Sequence, residues 1–306
     1  MLTPGSINMS DSISALKGDR FIAYCTLLPS AVILLLLVAI PTVLVAILST
    51  QEVGLGEHSG PFVGLSNFID VLTSDTFYRA LVNTIIWVFG SVGLDMLIGT
   101  AIALLLSKTF FGRGIARAIV LAPYLIPTVV AVLIWKYMFH DIVGVLNYLL
   151  LKVGLIEKPL LWLTSANTAM LSVILVGAWK FFPFVVLALL GILQAIPQEQ
   201  YEAAKIDGAS AWQQFVKITL PHVLPVFLLT AMLRTIWTFH KFDIIYLLTG
   251  GGPLDSTTTL PVLVYQKAFV DFETGNAAAI AIVTGVILAF LLGIYFVLIK
   301  LAEDRQ

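Results

Sequence analysis

The sequence has few charges and a single cysteine. Its 306 residues include 17 Lys or Arg and 18 Asp or Glu, so only 11% are charged while 59% are hydrophobic. A soluble domain has about 25% charged residues, and a disordered chain would be more polar still, so both classes are excluded. Cys25 alone can form neither an intramolecular disulfide nor a cysteine-based metal site. The net charge of -1 provides no basic surface for nucleic acid.

Motifs for nucleotide hydrolysis and metal catalysis are also missing. A P-loop requires the sequence G-x-x-x-x-G-K-[ST], whose backbone N–H groups and lysine hold phosphates, and the dipeptide Gly-Lys does not occur in this chain. There is no H-E-x-x-H motif, and the four histidines are scattered over different segments: His58, His140, His222 and His240. No nucleophile–base signature is visible either. A membrane-embedded enzyme is therefore disfavoured, and no metal site is expected.

What the sequence does have is long hydrophobic runs. A bilayer core about 30 Å thick is crossed by about 20 apolar residues in a helix. The runs predict an all-α, polytopic membrane bundle of six transmembrane helices in one domain, residues 21–306, after a cytoplasmic N-terminal tail, residues 1–20. The first run exceeds a signal-peptide core of about 7–15 residues and is expected to stay as an anchor. The predicted spans are 21–49, 80–106, 117–139, 167–193, 221–247 and 277–301.

The distribution of Lys and Arg predicts the orientation. Six spans place both termini on one side, and short cytoplasmic loops carry an excess of cations. With both termini in the cytoplasm, nine cations lie inside: Lys17, Arg20, Lys108, Arg113, Arg117, Lys205, Lys217, Lys300 and Arg305. Four lie outside: Arg79, Lys152, Lys158 and Lys267. We therefore expect a multi-pass membrane protein with both termini in the cytoplasm.

The cytoplasmic link between the fourth and fifth spans, about 197–221, predicts two short helices joined by a glycine elbow. Pro197 suits the first position of a helix, and Gly208 can adopt the left-handed conformation that ends one. Ser210 and Gln213 have the spacing of a capping box for a second helix. Pro221 is expected to close that second helix and open the fifth span. The pattern predicts a compact elbow that projects from the membrane.

The first helix of this elbow has a small face with charges beside it. Ala203 and Ala204 allow another surface to approach the backbone closely, while Glu202 and Lys205 flank them with charge that would fix orientation. A short helix laid in a partner's groove is a common recognition mode. From the residues alone, an ordinary surface loop remains an equal alternative.

The same segment resembles a known motif. Glu202-Ala-Ala, Gly208 and Ile218-x-Leu220-Pro221 match at every fixed position the EAA loop of ABC importer permeases. In that family the loop is the coupling helix, seated in a cleft of the ATP-hydrolysing subunit. The resemblance implies this coupling role for Glu202, Ala203, Ala204, Asp207 and Gly208. It also implies that the protein lies in a bacterial or archaeal cytoplasmic (inner) membrane.

Other segments resemble the carbohydrate-uptake branch of these permeases, the maltose- and glycerol-3-phosphate-type transporters. They are residues 62–68, 179–183 and the run 246–253 with its three glycines, followed by Thr257–Thr259. The resemblance implies a second, different permease chain, two ATP-binding subunits that hold ATP and Mg²⁺, and an extracytoplasmic solute-binding protein, with no cofactor on this chain. The glycine run would line the mouth where the binding protein docks, or be a plain connector.

Three charges are predicted near mid-membrane. An ionisable group there costs about 2.5–3.5 kcal/mol on insertion scales. Asp95, Lys180 and Arg234 lie on the second, fourth and fifth spans at similar depth, which suggests one polar cluster facing the bundle interior. The cluster either holds the helices together, with Asp95 paired to one cation, or forms a polar wall of a translocation path.

Further candidates lie near the outer end of the fifth span. His240, Lys241 and Asp243 follow Trp237 within one to two helical turns. An aromatic face beside hydrogen-bonding groups suits a sugar ring, although an interfacial anchor is the more common role for such a tryptophan.

The predicted function is the permease of a binding-protein-dependent importer of a sugar or sugar-like solute. A glycerol 3-phosphate or other anionic-solute importer, or an ion-gradient-driven secondary transporter, is the alternative.

Overall fold

The computed structural model describes residues 26–54, 56–57 and 59–303. This part of the chain is helical, and its β-structure is limited to one antiparallel bridge between Gln51 and Phe62. The predicted tail, 1–20, and the first residues of span one lie outside the described residues. The helices are α1 (Thr26–Leu48), α2 (Ser66–Thr73), α3 (Asp75–Ser107), α4 (Arg113–Leu125), α5 (Thr128–Met138), α6 (Val145–Lys152), α7 (Ala166–Ala195), α8 (Gln198–Ile206), α9 (Ala211–Phe239), α10 (Asp243–Thr249), α11 (Leu260–Phe269) and α12 (Thr274–Glu303).

Five of these helices are long and apolar enough to cross a membrane: α1, α3, α7, α9 and α12. The bent pair α4–α5, counted as one span, makes the sixth. The prediction of an all-α polytopic bundle is confirmed. The apolar part of α1 buries none of its length within this chain, whereas that of α7 is the most buried of the five, at 61%.

The centre of the bundle is the packing of α3 against α7. Glycines permit this close approach, because without a hydrophobic driving force in lipid, helices associate through tight backbone packing at small residues. A Cβ atom on Gly99 would lie 2.6 Å from Cβ of Val185, and one on Gly177 would lie 2.6 Å from the ring of Trp87. Trp87 and Val185 are themselves fully buried. Around this pair, α9 packs on both α3 and α7.

The third span is broken. The prediction of one continuous helix over 117–139 is wrong, because α4 and α5 meet at an angle of 96°. Ile126 and Pro127 adopt extended backbone conformations, with ψ of 130° and 139°. The cause is Pro127, which disfavours helical conformation in the residue before it and has no N–H to donate.

The fifth span also departs from the prediction. Pro221 does not close a separate helix, since α9 runs without interruption from Ala211 to Phe239. A π turn over Phe215–Thr219 precedes the proline, and this wider turn relieves the clash that a proline ring makes with the carbonyl four residues earlier. The helix ends at Phe239 instead of continuing to 247, and α10 follows as a separate short helix.

Candidate functional site

Asp95 and Arg234 form a buried ion pair between α3 and α9. The Nε and Nη2 atoms of Arg234 donate to Oδ2 of Asp95 at 2.9 and 2.5 Å, and both side chains are almost fully excluded from solvent. The second carboxylate oxygen, Oδ1, is buried with no hydrogen-bond partner among the described residues. The geometry matches the reading in which Asp95 holds one cation and thereby joins two helices.

Lys180 does not join this pair. Its Nζ donates to the backbone carbonyl of Ile126 at 2.5 Å, at the break between α4 and α5. In a continuous helix that carbonyl would accept from an N–H four residues ahead, and the bend removes that donor. Lys180 on α7 therefore satisfies a backbone group that the broken span leaves free. The predicted single cluster of three charges is divided into one ion pair and one lysine–carbonyl bond.

Three cationic side chains lie close to the ring of Phe181. The guanidinium carbon of Arg234 lies 4.5 Å from the ring centre, and the ammonium nitrogens of Lys180 and Lys241 lie at 5.5 and 5.0 Å. These distances are within the range of cation–π attraction, about 6 Å. Beside this ring is a cavity of about 110 Å³ lined by Trp87, Tyr124, Phe181, Arg234, Trp237, Thr238 and Lys241.

Two of the predicted path residues, Arg234 and Trp237, line this cavity. Trp237 packs edge-on against Phe184 with ring centres 4.9 Å apart and remains 45% exposed. His240 is exposed and lies edge-on to the ring of Phe239. Asp243 pairs with Lys241 at 3.4 Å. His240 and Asp243 are therefore outside the cavity wall, and Asp243 reaches it only through Lys241.

Three of the four aromatic residues that line this cavity were not predicted from the sequence. Trp87, Tyr124 and Phe181 come from three helices that are distant in sequence, and aromatic residues are abundant in all apolar spans. One signal was available, since Pro127 marks the break that lies next to Tyr124. The position of the break, and hence the direction of Tyr124, required the tertiary structure.

The elbow between α8 and α9 has the predicted local structure. Gly208 follows α8 with φ of +78°, and the amide of Ala209 donates to the carbonyl of Ala204 at 2.8 Å. Both hydrogen bonds of the Ser210–Gln213 capping box are present. None of the residues of α8 is buried within this chain. Glu202, Ala203, Ala204, Asp207 and Gly208 thus lie on or beside a projecting helix whose surface is open.

The glycine run forms an ordered loop between α10 and α11. Gly250 and Gly251 have positive φ, and a Cβ on Gly251 would lie 2.5 Å from the hydroxyl of Thr258. Three buried threonines follow, Thr257–Thr259, and the Thr257 hydroxyl donates to the carbonyl of Gly252 at 2.9 Å. Hydrogen bonds within the loop itself fix its conformation, so it is not a loose connector.

Residues 95–305 match the protein family described as binding-protein-dependent transport system inner membrane component. The chain belongs to this family. The match covers the segment from the Asp95 ion pair through the elbow to the end of α12. The chain is therefore a multi-pass transport component, and the predicted resemblance to importer permeases is confirmed.

Several members are similar along most of their length. The trehalose/maltose transport system permease protein MalF of Thermococcus litoralis is 36% identical over 93% of this chain and 94% of its own. The inner membrane ABC transporter permease protein YcjO of Escherichia coli is 35% identical over 89% and 92%. In fold, the chain is similar to a bacterial ABC transporter involved in import of the acidic polysaccharide alginate, with a TM-score of 0.81 and 23% identity over 95% of this chain and 98% of that one.

Proposed function

We propose that this chain is the membrane subunit of an ABC importer that takes up a sugar or sugar-like solute. It would pair with a second, different permease chain to enclose the path. Two ATP-binding subunits would bind beneath them, and an extracytoplasmic solute-binding protein would deliver the solute. The observation that carries the proposal is α8: a helix that ends just before Gly208, has the family's motif and buries none of its own residues.

The ATP-binding subunits would supply the energy. The chain has no P-loop, so ATP and Mg²⁺ would bind to the partner alone, and this subunit would need no cofactor. Force would enter through Glu202, Ala203, Ala204, Asp207 and Gly208 at the elbow. This requires the elbow in the cytoplasm, as the cation distribution predicts, and with it both termini.

The chemistry of the cavity supports a neutral solute over an anionic one. Aromatic faces from Phe181 and Trp237 suit the apolar C–H faces of a sugar ring, and Thr238 and Lys241 offer hydrogen-bonding groups at its edge. Of the three cations around Phe181, Arg234 and Lys241 are already paired with carboxylates. An anion such as glycerol 3-phosphate would have to compete with those carboxylates. The name of one relative, a trehalose/maltose permease, favours the same choice, whereas another relative is named for sulfoquinovosyl glycerol, a sulfonated sugar.

An ion-driven secondary transporter is the weaker alternative. Such a protein needs an ion-coupling group at a broken mid-membrane helix. The break at Ile126 and Pro127 is occupied by the ammonium group of Lys180. Asp95, the acid at mid-span, is bound by Arg234.

Replacing Gly208 tests the elbow against a matched glycine. Gly208 and Gly112 have φ of +78° and +80°, and a Cβ on either would meet no atom within 4 Å. Aspartate at either position pays the same left-handed backbone cost, about 1–2 kcal/mol, but only Gly208→Asp adds a charge beside α8. We expect Gly208→Asp to abolish uptake and the coupling of ATP hydrolysis to transport while the subunit stays in the membrane, and Gly112→Asp to transport normally.

The measurement is uptake of labelled maltose, trehalose and glycerol 3-phosphate into proteoliposomes that contain the complete transporter. Normal uptake by Gly208→Asp would contradict the proposal. Uptake that persists without any ATP-binding subunit would favour the secondary transporter, and uptake of glycerol 3-phosphate alone would replace the sugar with an anion.

A further inference from the structure

The base of α9 contains a wide turn at the level of the elbow. Over Phe215–Thr219 the helix changes to π geometry, and the amide of Leu220 bonds to the carbonyl of Phe215. Pro221 follows, and proline removes a further i→i−4 bond. Helices bend at π turns and prolines because the regular ladder of hydrogen bonds is interrupted there. The segment 215–221 is thus a point at which α9 can bend with little loss of bonding, and Pro225 extends this interrupted stretch by one turn.

A second π turn in the described residues shows what is particular about this one. Leu35–Ala39 in α1 also precedes a proline, Pro41, by the same spacing. That turn has no buried residue. In α9, by contrast, the last residue of the turn, Thr219, is 93% buried and forms a hydrogen bond to another helix.

That bond joins the elbow helix to α9. The Tyr201 hydroxyl and the Thr219 hydroxyl lie 2.9 Å apart. Tyr201 precedes Glu202 on α8, and no residue of α8 is buried. Tyr201 and Thr219 both line a cavity of about 670 Å³, together with other residues of α8 and α9 and with Leu104 and Ser107 at the end of α3. The hydrogen bond therefore lies at the wall of an open cavity.

The other end of α9 carries the mid-membrane site. Arg234 lies 15 residues after Thr219, about four helical turns along the same helix. Arg234 holds Asp95 of α3, and Trp237 lines the cavity beside Phe181. A bend at 215–221 would move the cytoplasmic base of α9 relative to these residues without opening the packed contacts of α3 and α7.

We propose that Tyr201, Thr219 and the π turn between Phe215 and Thr219 form the joint that transmits movement of α8 into α9. Tyr201 is a positioning residue: it contacts neither solute nor nucleotide in this scheme, and acts by linking the surface on which a partner would pull to the flexible base of α9. The inference rests on the proposed function, because it needs a partner that moves α8.

Distances between spin labels can follow α8 and α9 separately in the complete transporter. Cys25→Ser removes the native thiol. Labels at Gln200→Cys and Leu187→Cys report α8 against α7, and labels at Leu229→Cys and Leu187→Cys report α9 against α7. All three sites are exposed in this chain. Each pair is measured without nucleotide and after trapping with ATP and vanadate.

In the unmodified joint we expect both distances to change on trapping. In Tyr201→Phe and in Thr219→Val, the α8 distance should still change, and ATP hydrolysis should continue. The ratio of the trapped-state α9 distance to the nucleotide-free one, measured as populations in the distance distribution, should fall about two- to tenfold, the change in an equilibrium constant that follows from losing one hydrogen bond. The double variant should lose no more than either single variant, because both remove the same bond.

Two further variants distinguish a loss of the coupling between α8 and α9 from a general disturbance of the structure of α9. Thr219→Ser keeps the hydroxyl and should restore the α9 change. Thr230→Val is the matched control, since Thr230 is a buried threonine of the same helix whose hydroxyl bonds to its own backbone, the carbonyl of Val226, and it should behave as the unmodified protein. If Tyr201→Phe still shows the full change in the α9–α7 distance, the proposed joint is wrong while the proposed function stands. The absence of any α8 change in the unmodified protein would overturn the proposed function, and the joint with it.

Discussion

The charged groups at mid-membrane and those of the elbow helix obey different rules. Asp95, Lys180 and Arg234 are each buried and each hydrogen-bonded to a group on another helix or at its break. On α8, Glu199, Glu202 and Lys205 form no ion pair among the described residues, and no residue of the helix is buried. The first group has fixed partners within the chain, whereas the second is open to a partner.

The difference follows from the solvent. Water satisfies an exposed charge at little cost, so a surface ion pair contributes about 0–1 kcal/mol. Lipid offers no such partner, and an unpaired charge within a span is expensive. The internal charges should therefore govern folding and the elbow charges should govern assembly. The following variants test that division in order of expected effect.

The largest effect on stability is expected for Asp95→Leu. This change leaves Arg234 buried and without its carboxylate, and removing one member of a buried pair costs about 3–5 kcal/mol. Thermal unfolding of the detergent-purified subunit should show a strongly lowered midpoint. Glu202→Leu, on exposed α8, should leave that midpoint unchanged, and an equal loss in both variants would refute the comparison.

The double variant Asp95→Leu/Arg234→Met sharpens this test. Replacing both members of a buried pair with apolar residues is often nearly neutral, so most of the lost stability should return. A double variant as unstable as Asp95→Leu would mean that the carboxylate contributes through contacts other than Arg234.

A smaller loss is expected for Lys180→Met. It leaves the carbonyl of Ile126 without the donor that the bend requires, and an unsatisfied buried polar group costs about 1–3 kcal/mol. Lys136→Met is the control, because Lys136 lies on the adjoining helix α5 but is exposed. The free energies of unfolding of the two variants should differ by this amount, and equal values would show that Lys180 does not support the break.

The smallest effect is expected at an exposed pair outside the spans. Lys267 donates to Glu273 at 2.9 Å, and hydrogen bonds from Lys267 and then Asn276 hold the pKa of the Glu273 carboxyl below its ordinary value. Since the folded-state pKa is lowered, this stabilisation is present above the ordinary glutamate pKa, about 4.3, and is lost as pH falls through the lower folded value.

At pH 7, Glu273→Gln should therefore reduce the free energy of unfolding by less than about 1 kcal/mol, because Glu273 is 45% exposed and screened by solvent. The difference between variant and parent should shrink as the pH is lowered below about 4.3. A loss as large as that of Asp95→Leu would erase the distinction between membrane and surface charges.

Much of the fold could be predicted because long apolar runs in a chain with so few charges have few alternatives. The six spans follow from length alone, and the elbow from strong local signals at Gly208 and Ser210. The bends could not be placed in the same way. Pro127 breaks its span while Pro221 is absorbed by a π turn, although each proline disrupts the same backbone bonds. Whether a proline breaks the helix or is accommodated depends on the side chains packed around it. At Pro127, Lys180 is available to donate to the backbone carbonyl that the break leaves free.

Apolar length, turn residues and a short exposed motif act locally, so the membrane class, the helical architecture, the elbow and the family could all be predicted from the residues. The packing of the helices was needed to show how Asp95, Lys180 and Arg234 divide their partners, which aromatic side chains surround Phe181, and that Tyr201 meets Thr219. Those pairings join residues that are 18 to 139 positions apart. They depend on how the helices pack, and many arrangements of the same six spans would satisfy the same hydrophobic pattern.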